Sequence, residues 1–269
     1  MHPPHEETAT MRSTTTRLSL LTLVLGFSAC VSEPDDICVA ERKLAANKLA
    51  TNRIALNRIA LNRISLNGLL GRTLPEVALT SDSLAASLAP DALADEDTAS
   101  LLEYTVSCAL APDQAVDVVV DGDIRTFPGS LGLAPAWGTP EGACDGTCMG
   151  WVSACLLART NFKGESVPIS LLGGHPGLEP TADESIAFPV EEATYFGDLF
   201  ASPVTMYACL PAGETAAVRT CGSDTAGCPI DVVGACDDVC DAAGCRNADG
   251  QIFAETITVH IRDAASSCE

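Results

Sequence analysis

The sequence predicts an α+β protein: a disulfide-rich C-terminal domain preceded by a short pentapeptide-like repeat, readable as a small β-solenoid. Three observations predict it. After residue 98 helical and strand-like patterns follow one another in no strict order, which argues against a parallel doubly wound sheet. Eleven cysteines fall between Cys108 and Cys268, and branched residues recur every five positions from Leu44 to Leu84. The chain of 269 residues is long enough for one or two domains with a core, and 47% apolar residues exclude wholesale disorder. Its 15 Lys+Arg face 36 Asp+Glu, a formal net charge of −21. That field repels polyanions, so no nucleic-acid partner is expected.

Residues 1–29 read as a lipoprotein signal peptide. The run 18–29 (LSLLTLVLGFSA) is preceded by Arg12 and Arg17, is too short to span a bilayer, and ends in Ser28 and Ala29 just before Cys30. This junction resembles a bacterial lipobox, which makes Cys30 the expected lipidation site. An ordinary secretory signal cut near Ala29 and an uncleaved anchor are the rival readings. Glu6 and Glu7 make residues 1–10 a poor leader, and Met11 reads as the initiator. One acyl chain contributes ~0.8 kcal/mol per buried CH₂ and holds only marginally, so durable attachment needs two or three. Residues 30–43 are then the anchor and tether. Val31, where Asp would signal inner-membrane retention, favours the outer membrane.

Residues 44–86 form the repeat. Leu44, Leu49, Ile54, Ile59, Ile64, Leu69, Leu74, Leu79 and Leu84 stand five apart, with Asn47, Asn52, Asn57, Asn62 and Asn67 as a second column. On an α-helix positions five apart are turned ~140° from each other, so no single apolar face results. A plain strand fails as well, because the spacing sends successive residues to opposite faces. A solenoid turning a corner every five residues satisfies the pattern, with Asn at corners or in ladders. The segment resembles the pentapeptide-repeat family but carries Asn where that family prefers a small residue. A helical or flexible stalk is the alternative, and both readings make the segment a spacer. Between residues 41 and 72, Arg42, Lys43, Lys48, Arg53, Arg58, Arg63 and Arg72 face only Glu41, whereas 30 of the acidic and six of the basic residues lie from residue 73 on. The basic row suits anionic head groups, the acidic domain that follows, or simple solvation.

Residues 87–97 read as a linker, within an Ala/Ser/Asp-rich stretch (80–97) that also fits a loose helix, and residues 98–269 as the cysteine-rich domain. A helix is expected from Thr98 with Asp97 as cap, then a hairpin of VDVVV and DIRTF around Asp121-Gly122. A second helix is expected over 147–161 with Trp151 inward. Residues 166–171 read as a strand, 190–200 as a short helix, and 204–209 and 252–262 as strands. His260 reads as an exposed polar position on the last strand.

With Cys30 set aside, twelve cysteines remain: Cys38, Cys108, Cys144, Cys148, Cys155, Cys209, Cys221, Cys228, Cys236, Cys240, Cys245 and Cys268. In an exported chain they predict up to six bridges, whose pairing spacing does not reveal. Cys144-x3-Cys148 and Cys236-x3-Cys240-x4-Cys245 are weak zinc candidates, since export favours oxidation and zinc knuckles usually use other spacings; no metal or cofactor is expected. Thioredoxin-type redox chemistry needs Cys-x-x-Cys, which does not occur.

No catalytic motif is found, and no catalytic residue is assigned. A Gly-x-Ser-x-Gly elbow is missing after the signal segment. His175, on a Gly/Pro-rich loop, with Cys155 upstream would be the centre of an exported hydrolase of unfamiliar type, although Cys155 reads as bridged. Asn247-x-Asp249-Gly250 matches the middle of a calcium loop but lacks both ends, and Asp231, Asp237, Asp238 and Asp241 fit a solvated loop as well as a calcium-dependent adhesion site. Glu191 and Glu192 near Tyr195 and Asp198 read as a charged helix face. Trp137, in a turn-rich stretch, is the candidate exposed contact for a partner.

The strings WVSACLLARTNFKGESVPISLL and FPGSLGLAPAWG, with the Leu66-Asn67-Gly68 repeat end, resemble a group of uncharacterised exported bacterial lipoproteins. These carry Leu-Asn-Gly-type five-residue repeats before a cysteine-rich domain. The resemblance implies no activity and transfers no functional residue. The expected function is display of a stapled acidic domain, on a lipid anchor in the cell envelope, for binding an envelope or extracellular protein.

Overall fold

The computed structural model describes residues 74–88, 93, 96–120, 122–161, 167–222 and 228–263, and the backbone of 50–52 and 54–55. The expected signal peptide over 1–29, the expected lipidation site Cys30, most of the repeat, and the disulfide candidates Cys38 and Cys268 lie outside the described residues. In chain order the elements are β1 (Ala50–Asn52), β2 (Ile54–Ala55), α1 (Ser81–Ser87), α2 (Glu96–Ala109), β3 (Ala115–Val120), β4 (Asp123–Pro128), α3 (Gly146–Ala158), β5 (Thr160–Asn161) and β6 (Val167–Leu172). There follow α4 (Ala182–Ala187), β7 (Val190–Asp198), β8 (Thr205–Leu210), α5 (Val218–Cys221), β9 (Asp231–Ala235), α6 (Cys236–Val239), β10 (Cys240–Asp241), β11 (Gly244–Arg246), β12 (Ile252–Phe253) and β13 (Ile257–Ile261). The protein is α+β, as the mixed patterns predict.

A six-stranded sheet of order β1-β6-β13-β7-β8-β9 forms the frame, antiparallel except for β8 with β9. Helix α3 packs on β7 and β13, and α2 on α3. Asp145 caps α3 by accepting the Cys148 N–H at 2.9 Å, which satisfies an otherwise unpaired donor of the first turn. Residues 151–158 of α3 are all buried, as suits a helix that is apolar all round. Its one buried hydroxyl is used: Ser153 Oγ accepts the Leu199 N–H at 3.0 Å, tying α3 to the end of β7. The β3–β4 hairpin turns on two residues with Gly122 at φ 90°, a conformation that favours glycine.

Among the described residues five bridges staple the domain: Cys108–Cys155, Cys144–Cys148, Cys209–Cys236, Cys221–Cys228 and Cys240–Cys245. The first joins α2 to α3 across 47 residues, and closing a loop of that length removes about 4 kcal/mol of unfolded-chain entropy. Cys144–Cys148, weighed above as a zinc pair, is a bridge across the start of α3.

Three expectations are corrected. Residues 190–200 are not a helix: β7 is an inner strand buried on both faces from Ala193 to Gly197, with Tyr195 in the main core and Phe196 in a smaller cluster with Cys209 and Cys245. Covering both faces erases the alternation that marks a half-buried strand. The strand expected over 252–262 is two, β12 and β13, which lie in different sheets. The boundary also moves. Leu74, Leu79 and Leu84, the last members of the five-residue column, are buried with Leu102 and Leu157 in one core, where the repeat pattern predicts a spacer. Upstream, β1 pairs with β6 (Ala50 opposite Ile169) and β2 runs parallel to β5. Both described parts of the repeat therefore belong to the head.

Candidate functional site

The candidate site is a cleft of about 710 Å³ at the end of the sheet where β6, β13 and β7 meet the 211–219 segment. Val167, Val190, Ile261, Pro211 and Val218 supply apolar walls, and Val190 and Val218 are 39% and 58% exposed. Glu191 and Glu214 are exposed acidic residues on its lining.

Arg219 lies against this cleft but is committed elsewhere. Its Nε donates to both carboxylate oxygens of Glu192, at 2.9 and 2.7 Å, and Nη2 stands 2.7 Å from Oε2. Nη1 donates to the Thr160 carbonyl at 2.6 Å, and Nη2 to the Tyr195 hydroxyl at 3.3 Å. Tyr195 and Thr220 share a hydroxyl hydrogen bond of 2.6 Å. Both side chains of the ion pair are nearly buried, at 10% and 8% exposure, so each charge depends on the other. Burial pushes the Tyr195 phenol up to about 12, with Arg219 pulling the other way. A phenol that stays protonated is no nucleophile, and the network acts as a rigid floor. Among the described residues of the lining, the charge outside this ion pair is carboxylate, on Glu191 and Glu214.

The residues singled out by sequence fall as follows. Trp137, expected to be exposed, is fully buried in a short 3₁₀ turn (Pro135–Gly138). Its Nε1–H donates to the Val77 carbonyl at 2.8 Å, and its own carbonyl accepts the Leu79 N–H at 2.8 Å. The end of the repeat column wraps this indole, which turn-rich sequence alone does not reveal. Trp151 is buried as expected, and its ring meets His175 edge-on at 5.3 Å between centroids. His175 Nδ1 accepts the Gly177 N–H at 3.0 Å and caps the 3₁₀ turn Pro176–Leu178. Desolvation lowers its pKa. Cys155 is buried and bridged to Cys108, so no cysteine–histidine pair forms.

Asn247 Oδ1 accepts the N–H groups of Asp249 and Gln251 at 3.1 and 2.9 Å, the geometry of a turn rather than of a cation loop. Asp241 is paired with Arg246 and accepts the Ala243 N–H at 2.8 Å. On β7, Glu192 is held by Arg219, whereas Asp198 accepts the Phe200 and Ala201 N–H groups. His260 is half-buried, with Nδ1 3.3 Å from the Phe188 carbonyl. Among the described residues, the group of His, Cys, Asp or Glu side chains that converges closely is Cys209, Cys240 and Cys245, with sulfurs within 4.8 Å of one another. The Glu192–Arg219 pair is not legible in the sequence because its partners are 27 residues apart, Glu192 on β7, where the pattern predicts a helix, and Arg219 on α5.

Compared with family models, curated proteins and solved structures, the chain matches none of them.

Proposed function

We propose that this is a lipid-anchored cell-envelope protein, held in the outer membrane through Cys30, that displays a disulfide-stapled acidic head to bind an apolar, cationic segment of another envelope or extracellular protein. The observation that carries the reading is the cleft: valine, isoleucine and proline walls, carboxylates on the lining, and an arginine already neutralised by Glu192. The anchor rests on the 18–29 run before Cys30. No helix among the described residues is long and apolar enough to cross a membrane. In this reading strand β1 of the five-residue repeat covers the β6 edge, whose backbone groups would otherwise template aggregation. The tether is then the chain before residue 50.

The test is calorimetric titration with a peptide alternating leucine and arginine, and with its leucine–glutamate counterpart. The head binds the first and not the second. Val218→Asp separates seating in the cleft from adsorption to an acidic surface. It adds negative charge, which strengthens adsorption, but removes apolar wall, which weakens seating. The proposal expects at least roughly a tenfold loss, the equivalent of about 1.4 kcal/mol. Unchanged or tighter binding in that variant would overturn it.

A further inference from the structure

Two bridges meet sulfur to sulfur. Cys209–Cys236 ties the end of β8 to the start of α6, and Cys240–Cys245 ties β10 to β11. Cys209 Sγ lies 3.4 Å from Cys240 Sγ, across the gap between the two bonds. Cys209 and Cys245 are buried at 0% and 2% exposure, while Cys236 and Cys240 are half-buried. Phe196, Tyr207, Phe253, Val233 and Val239 surround the four sulfurs. A thiol reagent thus meets the outer sulfurs first, and attack there releases an inner sulfur beside the other bridge.

We infer that Cys209, Cys236, Cys240 and Cys245 form a thiol–disulfide exchange site whose substrate class is a small dithiol. One thiolate of the dithiol attacks Cys236 Sγ, forms a mixed disulfide and breaks the bond to Cys209, which leaves as thiolate. Cys209 attacks Cys240 Sγ across the 3.4 Å contact, forming Cys209–Cys240 and releasing Cys245 as thiolate. The second thiol of the reagent resolves the mixed disulfide at Cys236 and leaves as a cyclic disulfide. Two electrons and two protons pass from the dithiol to Cys236 and Cys245, and one bridge remains, now between Cys209 and Cys240. The exchange joins β8 to β10 and frees the start of α6.

The experiment treats the full chain with limiting dithiothreitol, quenches with acid, alkylates with N-ethylmaleimide and maps the peptides. The expected result is label on Cys236 and Cys245 together with a Cys209–Cys240 linked peptide. Label on Cys209 and Cys236 with Cys240–Cys245 intact would overturn the inference, as would label on Cys240 and Cys245 with Cys209–Cys236 intact. Cys245→Ser gives a second reading, because it leaves Cys240 as a thiol 3.4 Å from Cys209 without any reductant. Cys240 is then expected to take Cys209 from Cys236, and alkylation of untreated protein falls on Cys236. Label remaining on Cys240 contradicts the exchange.

Discussion

At the scale of single residues, most polar groups found inside the head are there because a partner is within reach. Glu192 and Arg219 are the clearest case: each would be an unpaired buried charge without the other. Arg219→Met is expected to destabilise the protein by about 3–5 kcal/mol in urea denaturation, because it strands the carboxylate. The double change Arg219→Met with Glu192→Met is expected to recover most of that loss, since both desolvation costs disappear together. Equal additive losses would show that the pair is not coupled. Tyr195 sets a pH dependence of known sign. Its folded pKa, about 12, stands above the ordinary 10, so its contribution is complete below pH 10 and fades as pH rises towards 12. The stability difference between the wild type and Tyr195→Phe should therefore stay level up to pH 10 and change above it. A difference already varying at neutral pH would contradict the assignment. His175 works in the other direction: its lowered pKa favours the fold above pH 6.5 and withdraws that support as the ring protonates.

At the scale of elements, legibility followed burial. Helices α2 and α3, the β3–β4 hairpin, β6, β8 and β13 were readable because helical spacing, a turn dipeptide or period-two alternation mark them locally, although α2 starts at Glu96 and takes Asp97, the expected cap, into its first turn. β7 was not, because both of its faces are covered and Glu191 and Glu192 suggested a charged helix face. The repeat column was legible as a period but not as a destination. Leu74, Leu79 and Leu84 keep the five-residue spacing while leaving the strands β1 and β2 for the domain core. Thr80 caps α1 by accepting the Ser83 N–H at 3.3 Å, which starts a helix in the 80–97 stretch whose composition fits either a linker or a loose helix. Leu84→Ala, at a side chain with 0% exposure, should cost about 2–5 kcal/mol by denaturation, the range of a buried leucine. A loss under about 0.5 kcal/mol would mean that this part of the chain is a spacer after all. The cleft was not legible in any single element, since its walls come from β6, β7, β13 and the 211–219 segment.

At the scale of the whole molecule, five bridges among the described residues and a core that reaches back to Leu74 hold the head in one covalently braced shape. If the proposed cationic partner binds the cleft, the −21 charge and the carboxylates there should speed its encounter at low salt. Display of that head on a lipid is the central claim. It is tested most directly by the intact mass of the protein extracted from membranes and alkylated without reduction, followed by peptide mapping. The account predicts a chain beginning at Cys30 with two or three acyl groups and no alkyl label on the ten bridged cysteines from Cys108 to Cys245. An unacylated chain labelled at several of those ten would contradict both the anchor and the stapled head.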